Sequence, residues 1–278
     1  MGRPRKHPPA WQHRRARYRR DLIEVLPAKS PDTRRSYLGY LKEIRRVFGD
    51  SSLAGVDSSH VAQYLDRRSS KVAANREIAV LSGVYHAAMR WGWCKQNPCY
   101  GVRRNSEAKR KRYVTDAELA ALRATAGEQL RCVIDLVLIT ALRRRDVLSI
   151  RLADLQADGL HVQIRKTKGQ LIFAWTPGLQ EVIERARRLR RRIGSLWLFA
   201  TRAGQPYTMD GFATIWTRLV HRAEVEGLTF HDLRARALTD AKKIGGRDYA
   251  QALAAHQSGD TTERYIRGRE VQVVKPIK

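Results

Sequence analysis

The chain is short of acid. Its 278 residues carry 27 Asp and Glu against 54 Lys and Arg, a formal net charge of +27. Charge of one sign on that scale favours a polyanionic partner, because counterions released from phosphates drive the binding of basic proteins to nucleic acid. An anionic membrane is the competing partner, but the aromatics are spread through folding segments and do not gather on one basic amphipathic helix. Cysteine is scarce too: Cys94, Cys99 and Cys132 are odd in number and lack CxxC spacing, which disfavours both a disulfide framework and a zinc site. No apolar run reaches the length of a membrane span. The start, MGRPRKHPPA, has no apolar leader. The expected location is therefore cytoplasmic and DNA-associated.

What is present is enough for real cores, at 43% hydrophobic residues. Residues 1–20 hold eight Lys or Arg and no acid, with prolines that discourage helix. Residues 1–29 are accordingly expected to form a basic flexible arm, with Arg3, Arg5 and Lys6 as candidate DNA contacts. Helical periodicity begins after Ser30-Pro31, a cap followed by a first-turn proline. Tyr37, Tyr40, Leu41, Ile44 and Val47 share a face, and Gly49 ends the run. Two more helices are expected over 58–68, burying Val61, Tyr64 and Leu65, and over about 72–91, with Ile78, Leu81, Val84, Tyr85 and Ala88 inside.

Residues 103–112, RRNSEAKRKR, have six basic residues, one acid and no apolar period. They mark 103–113 as a basic linker between a helical domain at 30–102 and a second domain at 114–278. Arg103, Arg104, Lys109, Arg110, Lys111 and Arg112 are candidate backbone contacts to DNA. Thr115-Asp-Ala-Glu118 is a capping box for a helix through Ala126. Val133, Leu136, Val137 and Ile139 form a buried helix, and the chain turns at Thr140-Ala141 into a short one running through Asp146 to Ile150. Leu160, Val162 and Ile164 alternate with polar residues, as do Leu171, Phe173 and Trp175, giving a β-hairpin with lysines at its tip. Leu196 to Phe199 fits a short buried strand, and Thr208 caps a helix with Phe212, Ile215, Trp216, Leu219 and Val220 inward. The fold class is mainly α with a small β-hairpin or sheet.

Residues 229–268 carry the chemistry. His231, Arg234, His256 and Tyr265 follow at intervals of three, twenty-two and nine residues. The first two lie one turn apart on a helix expected to start near Asp232. Two imidazoles, a guanidinium and a phenol make a poor core and a good phosphodiester site. Arginine forks two phosphate oxygens, histidine donates or exchanges a proton, and tyrosine is a nucleophile once deprotonated. If Arg and His donors stabilise the transition-state charge, no metal and no other cofactor is needed.

Joined by Arg143 in ITALRRRDVLSIRLADL, these residues resemble the tyrosine recombinase (phage integrase) family. The likeness covers about residues 30–268. It implies a helical core-binding domain, a catalytic domain, and site-specific breakage and rejoining of double-stranded DNA through a 3′-phosphotyrosyl bond. By resemblance, Arg143, Lys166, His231, Arg234, His256 and Tyr265 are the catalytic set, with Asp146 in support and Lys168 the alternative lysine. It also implies a tetramer on DNA, with accessory DNA-bending or directionality proteins. Three positions depart from the family pattern. Ala141 and Ala255 stand where glycines are usual, so the turn before Arg143 is expected to do without positive φ. Asp146 stands where Glu is usual. A type IB topoisomerase and a non-catalytic DNA-binding regulator of the same fold are the alternative functions.

Overall fold

The computed structural model describes residues 30–108, 110, 112–164, 169–190 and 192–254. Arg3, Arg5, Lys6, Lys109, Lys111, Lys166, Lys168, His256 and Tyr265 lie outside them. The chain divides into two compact units after Ala108, within the expected linker.

The N-terminal unit is built from α1 (Pro31–Phe48), α2 (Ser58–Arg67) and α3 (Lys71–Arg90). Ser30 caps α1 by accepting from the Thr33 amide, and Asp57 caps α2 in a capping box. Each cap satisfies amides that the helix itself leaves without partners. Leu41, Ile44, Val61, Leu65, Ile78 and Tyr85 are buried together. Val47 is 52% exposed and Phe48 turns inward in its place, so the apolar stripe of α1 ends one residue later than its period predicts. One charged cluster lies inside this unit. Tyr64 Oη donates to Glu77 at 2.6 Å, and Arg68 grips the same carboxylate through Nε at 3.1 Å and Nη2 at 3.0 Å. Burial, then the Glu77 carboxylate, pushes the Tyr64 phenol upward.

The first half of the linker belongs to this unit. The Asn75 side chain donates to the Asn105 carbonyl and accepts from the Asn105 amide, both at 2.9 Å. Glu107 accepts from Asn75 at 2.9 Å and from Arg76 at 2.8 Å.

The C-terminal unit runs through α4 (Asp116–Thr125), α5 (Glu128–Thr140), α6 (Arg144–Leu148), a small sheet, α7 (Pro177–Arg187), α8 (Met209–Arg222) and α9 (Phe230–Leu253). The sheet has three antiparallel strands in the order β1 (Leu155–Gln156), β2 (Gly159–Ile164), β3 (Gly169–Ala174). Leu160 pairs with Phe173, Val162 with Leu171, and Ile164 with Gly169. The alternation expected of β2 therefore faces the core, and residues 165–168 connect the last pair. A Cβ at Gly159 would collide with the Phe173 carbonyl oxygen, which restricts that position to glycine. Strand β1 carries no alternation in two residues and was not expected.

Helix α5 is the centre of this unit, packed against α7 and α9. Val133, Ile134, Leu136 and Val137 are buried, while Ile139, expected inside, is 37% exposed. The expected strand at 196–199 is instead a single bridge between Trp197 and Arg151. Leu198 and Phe199 are buried and Leu196 is 65% exposed, so only half of that apolar run faces inward.

Candidate active site

The turn that presents Arg143 is set by its neighbours. Thr140 ends α5 by donating its hydroxyl to the Leu136 carbonyl at 2.6 Å. Ala141 then takes the left-handed conformation, φ 50° and ψ 24°, as the helix cap. This corrects the expectation that an alanine turn would do without positive φ. The cap bond from Ala141 N to the Val137 carbonyl at 2.8 Å and complete burial of the residue hold a geometry that glycine would take without strain. Arg143 follows in extended conformation at the N-cap of α6, and its carbonyl accepts from Val147 at 3.0 Å. Its side chain is half-buried, with Nη1 shielded from solvent and without a hydrogen-bond partner among the described residues. A guanidinium nitrogen in that condition has unused donor capacity. Asp146, one turn on in α6, is buried.

The second arginine meets the same turn. Helix α9 starts at Phe230, two residues before the predicted Asp232. Phe230 is clasped edge-on by Trp216 at 5.0 Å and Phe212 at 5.4 Å, both from α8. Such pairs add about 0.5–1.5 kcal/mol each beyond area burial, and they fix where the helix begins. His231 is exposed on the first turn, next to the amides and positive dipole end of α9. Arg234, one turn later, is 2% exposed. Its Nη1 donates to the Ala141 carbonyl and its Nη2 to the Ala254 carbonyl at 3.0 Å. Ala141, Ala237, Leu238 and Ala254 form a small apolar cluster around it. Arg234 thus clamps the turn before Arg143 to the far end of its own helix.

That far end needs a bend. Gly246 interrupts α9 with φ 76° and ψ −171°, a conformation open to glycine and strained for other residues. The second arm returns Ala250 and Ala254 to buried positions.

Asp232, between His231 and Arg234, is the residue the sequence reading passed over. Its carboxylate accepts from the Thr229 amide at 2.8 Å and hydroxyl at 2.7 Å. Thr229-Phe-His-Asp232 is a capping box, readable from the sequence by the rule applied at Thr115. Arg110 adds two donors to the same carboxylate, Nε at 2.8 Å and Nη2 at 2.6 Å. Burial works to raise the carboxyl's pKa, and the Arg110 and Thr229 bonds override it and hold the group below the ordinary range.

The DNA-contact candidates divide. Arg103 is exposed and Arg104 half-buried. Arg110 and Arg112 both have partners within the C-terminal unit: Arg112 donates to Glu118 at 2.5 Å and to the Glu226 carbonyl at 2.9 Å.

Comparison with known proteins identifies the family and the fold. The phage integrase family model matches residues 112–270, and the model of the phage integrase N-terminal SAM-like domain matches 16–92. The chain belongs to the phage integrase family, whose class is that of the tyrosine-type site-specific recombinases. It is 26% identical over 208 residues to the shufflon-specific DNA recombinase of Escherichia coli, covering 72% of this chain and 52% of that one. It is 26% identical over 259 residues to the integrase of Escherichia phage HK022, covering 86% and 72%. The chain thus spans about half the length of the first relative. Among solved structures, a lambda integrase tetramer bound to a Holliday junction superposes with TM-score 0.77 at 21% identity, over 94% of this chain and 78% of that one. Among the described residues, no helix is long and apolar enough to cross a membrane.

Proposed function

We propose that this protein is a site-specific DNA recombinase that cuts and rejoins double-stranded DNA through a 3′-phosphotyrosyl intermediate. The observation that carries this reading is the convergence on one turn. Arg143 projects from the α5–α6 junction, Arg234 grips that junction from α9, and His231 stands exposed at the start of the same helix.

In this mechanism Tyr265 Oη attacks the scissile phosphorus and the bond to the 5′ oxygen breaks, leaving a 3′-phosphotyrosyl link and a free 5′ hydroxyl. Arg143 and Arg234 neutralise the non-bridging oxygens, with His256 and His231 as further donors. His231 accepts the tyrosine proton, and Lys166, with Lys168 as its alternative, protonates the leaving oxygen. Asp146 steadies the Arg143 turn. The phosphodiester energy stays in the protein–DNA link, so the reaction consumes no ATP and calls for no divalent metal. Arg234 takes up its role by exchanging a backbone carbonyl for a phosphate oxygen when DNA enters.

The partners are double-stranded recombination sites and further copies of the chain. A tetramer on DNA is the working assembly, with accessory DNA-bending or directionality proteins at some sites and the cytoplasm as its place of action. The net charge of +27 supplies the general affinity. Arg3, Arg5, Lys6, Arg103, Arg104, Lys109 and Lys111 are its proposed backbone contacts, and Arg110 and Arg112 serve structure first.

The test is covalent trapping. The protein is incubated in chelator with nicked DNA carrying its attachment region, then denatured. The wild type should form a denaturation-resistant adduct that Tyr265→Phe cannot, with DNA affinity retained in the variant. No adduct on DNA that the protein binds would refute the mechanism.

A further inference from the structure

The linker does more at the site than connect two units. Arg110 and Arg112 lie against the loop that enters α9, and Arg110 also against its first turn. Arg110 Nη2 also donates to the Gly227 carbonyl, and Arg112 Nη2 to the Glu226 carbonyl at 2.9 Å. The main contact is the paired donation from Arg110 to the two oxygens of Asp232. The Asp232 side chain is wholly buried, while that of Arg110 is 42% exposed. A planar fork meeting a carboxylate fixes orientation as well as distance, which a point charge does not.

We propose that Arg110 is a positioning residue for strand cleavage, setting through the Asp232 carboxylate the turn of α9 that carries His231 and Arg234. The proposal rests on the recombinase reading. Asp232 occupies the third position of that turn, flanked by His231 on one side and Leu233-Arg234 on the other. Thr229 holds one carboxylate oxygen, Oδ2. Arg110 holds Oδ1 and Oδ2 together and so sets the plane of the carboxylate as well as its position. His231 is carried on the same helix turn, and a displacement of about 1 Å at a reacting group costs up to ~100-fold in rate.

A surface role for Arg110, as one more phosphate contact of a basic linker, makes a different prediction. A phosphate contact would lower affinity and reduce the salt dependence of binding by about one counterion, and it would be indifferent to Asp232. Positioning through Asp232 would slow cleavage at nearly constant affinity, and the two residues would act as one unit.

The experiment is a double-mutant cycle on the full chain. Single-turnover adduct formation on nicked attachment-site DNA and equilibrium DNA affinity are measured separately for wild type, Arg110→Ala, Asp232→Asn and the double variant. Each single change should slow adduct formation roughly 10- to 100-fold with affinity little altered. The double variant should be no slower than the slower single one. Arg110→Lys keeps the charge and loses the fork; it should fall between wild type and Arg110→Ala, and it carries the test if the alanine variant does not fold. Additive losses, weaker binding with unchanged cleavage, or wild-type rates in Arg110→Lys and Arg110→Ala would each overturn the proposal. A wild type that binds but gives no adduct would instead overturn the recombinase reading beneath it.

Discussion

Replacing Arg234 by alanine should lower the stability of the C-terminal unit before any DNA is present. The guanidinium is 2% exposed and donates to two backbone carbonyls, Ala141 and Ala254, which belong to segments far apart in sequence. Truncation leaves both oxygens without those donors, at roughly 1–3 kcal/mol each. It also empties a large buried volume beside Ala237 and Leu238. Against this, the desolvation cost of the buried cation disappears, which is worth several kcal/mol after relaxation in the opposite direction. The lost bonds and the cavity outweigh that relief because removing one member of a built polar site strands the other. The net effect is about 2–4 kcal/mol of destabilisation. For a unit of this size that is a fall of roughly 5–15 °C in Tm. Thermal unfolding followed by circular dichroism checks it, with Tyr265→Phe as the reference because that change removes a single hydroxyl. Arg234→Gln, which keeps one amide donor, should lie between. A Tm for Arg234→Ala within about 1 °C of wild type would refute the clamp.

Two further expectations concern the turn at Ala141 and the Tyr113–Asp240 hydrogen bond. Ala141→Gly relieves about 1–2 kcal/mol of left-handed strain, loses about 0.8 kcal/mol of methyl burial and adds about 0.4–1 kcal/mol of unfolded-state freedom. Equilibrium denaturation should therefore show little net change, and a loss above about 2 kcal/mol would mean the methyl is packed more tightly than its burial implies. Tyr113 donates to Asp240 at 2.7 Å, and burial, then that bond, pushes its phenol up to about 12. The unfolded phenol titrates near 10, so its contribution is intact below about that pH and is lost as pH rises through 12. Wild type should lose stability more steeply than Tyr113→Phe between pH ~10 and ~12; parallel curves would contradict the shift.

How much of this was legible beforehand depends on whether the signal is local. Helices α1, α2, α4 and α8 were readable because each joins a capping residue to an apolar period, as Thr115 with Glu118 and Leu119 does, and α3 was readable from its period alone. Arg143, His231 and Arg234 were readable as residue types that a core does not want. Their geometry was not. That Arg234 is buried on two carbonyls follows from the Gly246 bend, which returns Ala254 to the start of its own helix. No period in the sequence encodes a reversal made by one φ angle. Ala141 was misread for a related reason. Family pattern and residue preference both argue against alanine in the left-handed region, and complete burial with a cap bond outweighs a preference of only about 1–2 kcal/mol. Ile139 and Val47 failed differently: each satisfies helical spacing but falls at the edge of the stripe, where the partner helix decides what is covered.

The linker carries the wider argument. As a string, RRNSEAKRKR reads as charge for DNA, because composition counts cations without asking what already faces them. The 27 acids are few, yet several stand where an arginine has a geometric duty: Glu77 under Arg68, Glu118 under Arg112, Asp135 under Arg123 and Arg185, Asp116 and Asp240 under Arg236, and Asp232 under Arg110. The buried and half-buried pairs among these contribute orientation more dependably than they contribute stability. In a chain with twice as many bases as acids, a carboxylate spent on an arginine removes that arginine from the general phosphate field and gives it a fixed place. On the recombinase reading, the +27 that remains supplies the affinity for DNA, and the paired minority sets the shape that affinity acts on. Neutralising an exposed base and neutralising Arg110 are therefore different experiments: the first should change the salt dependence of binding, the second the rate of the chemical step.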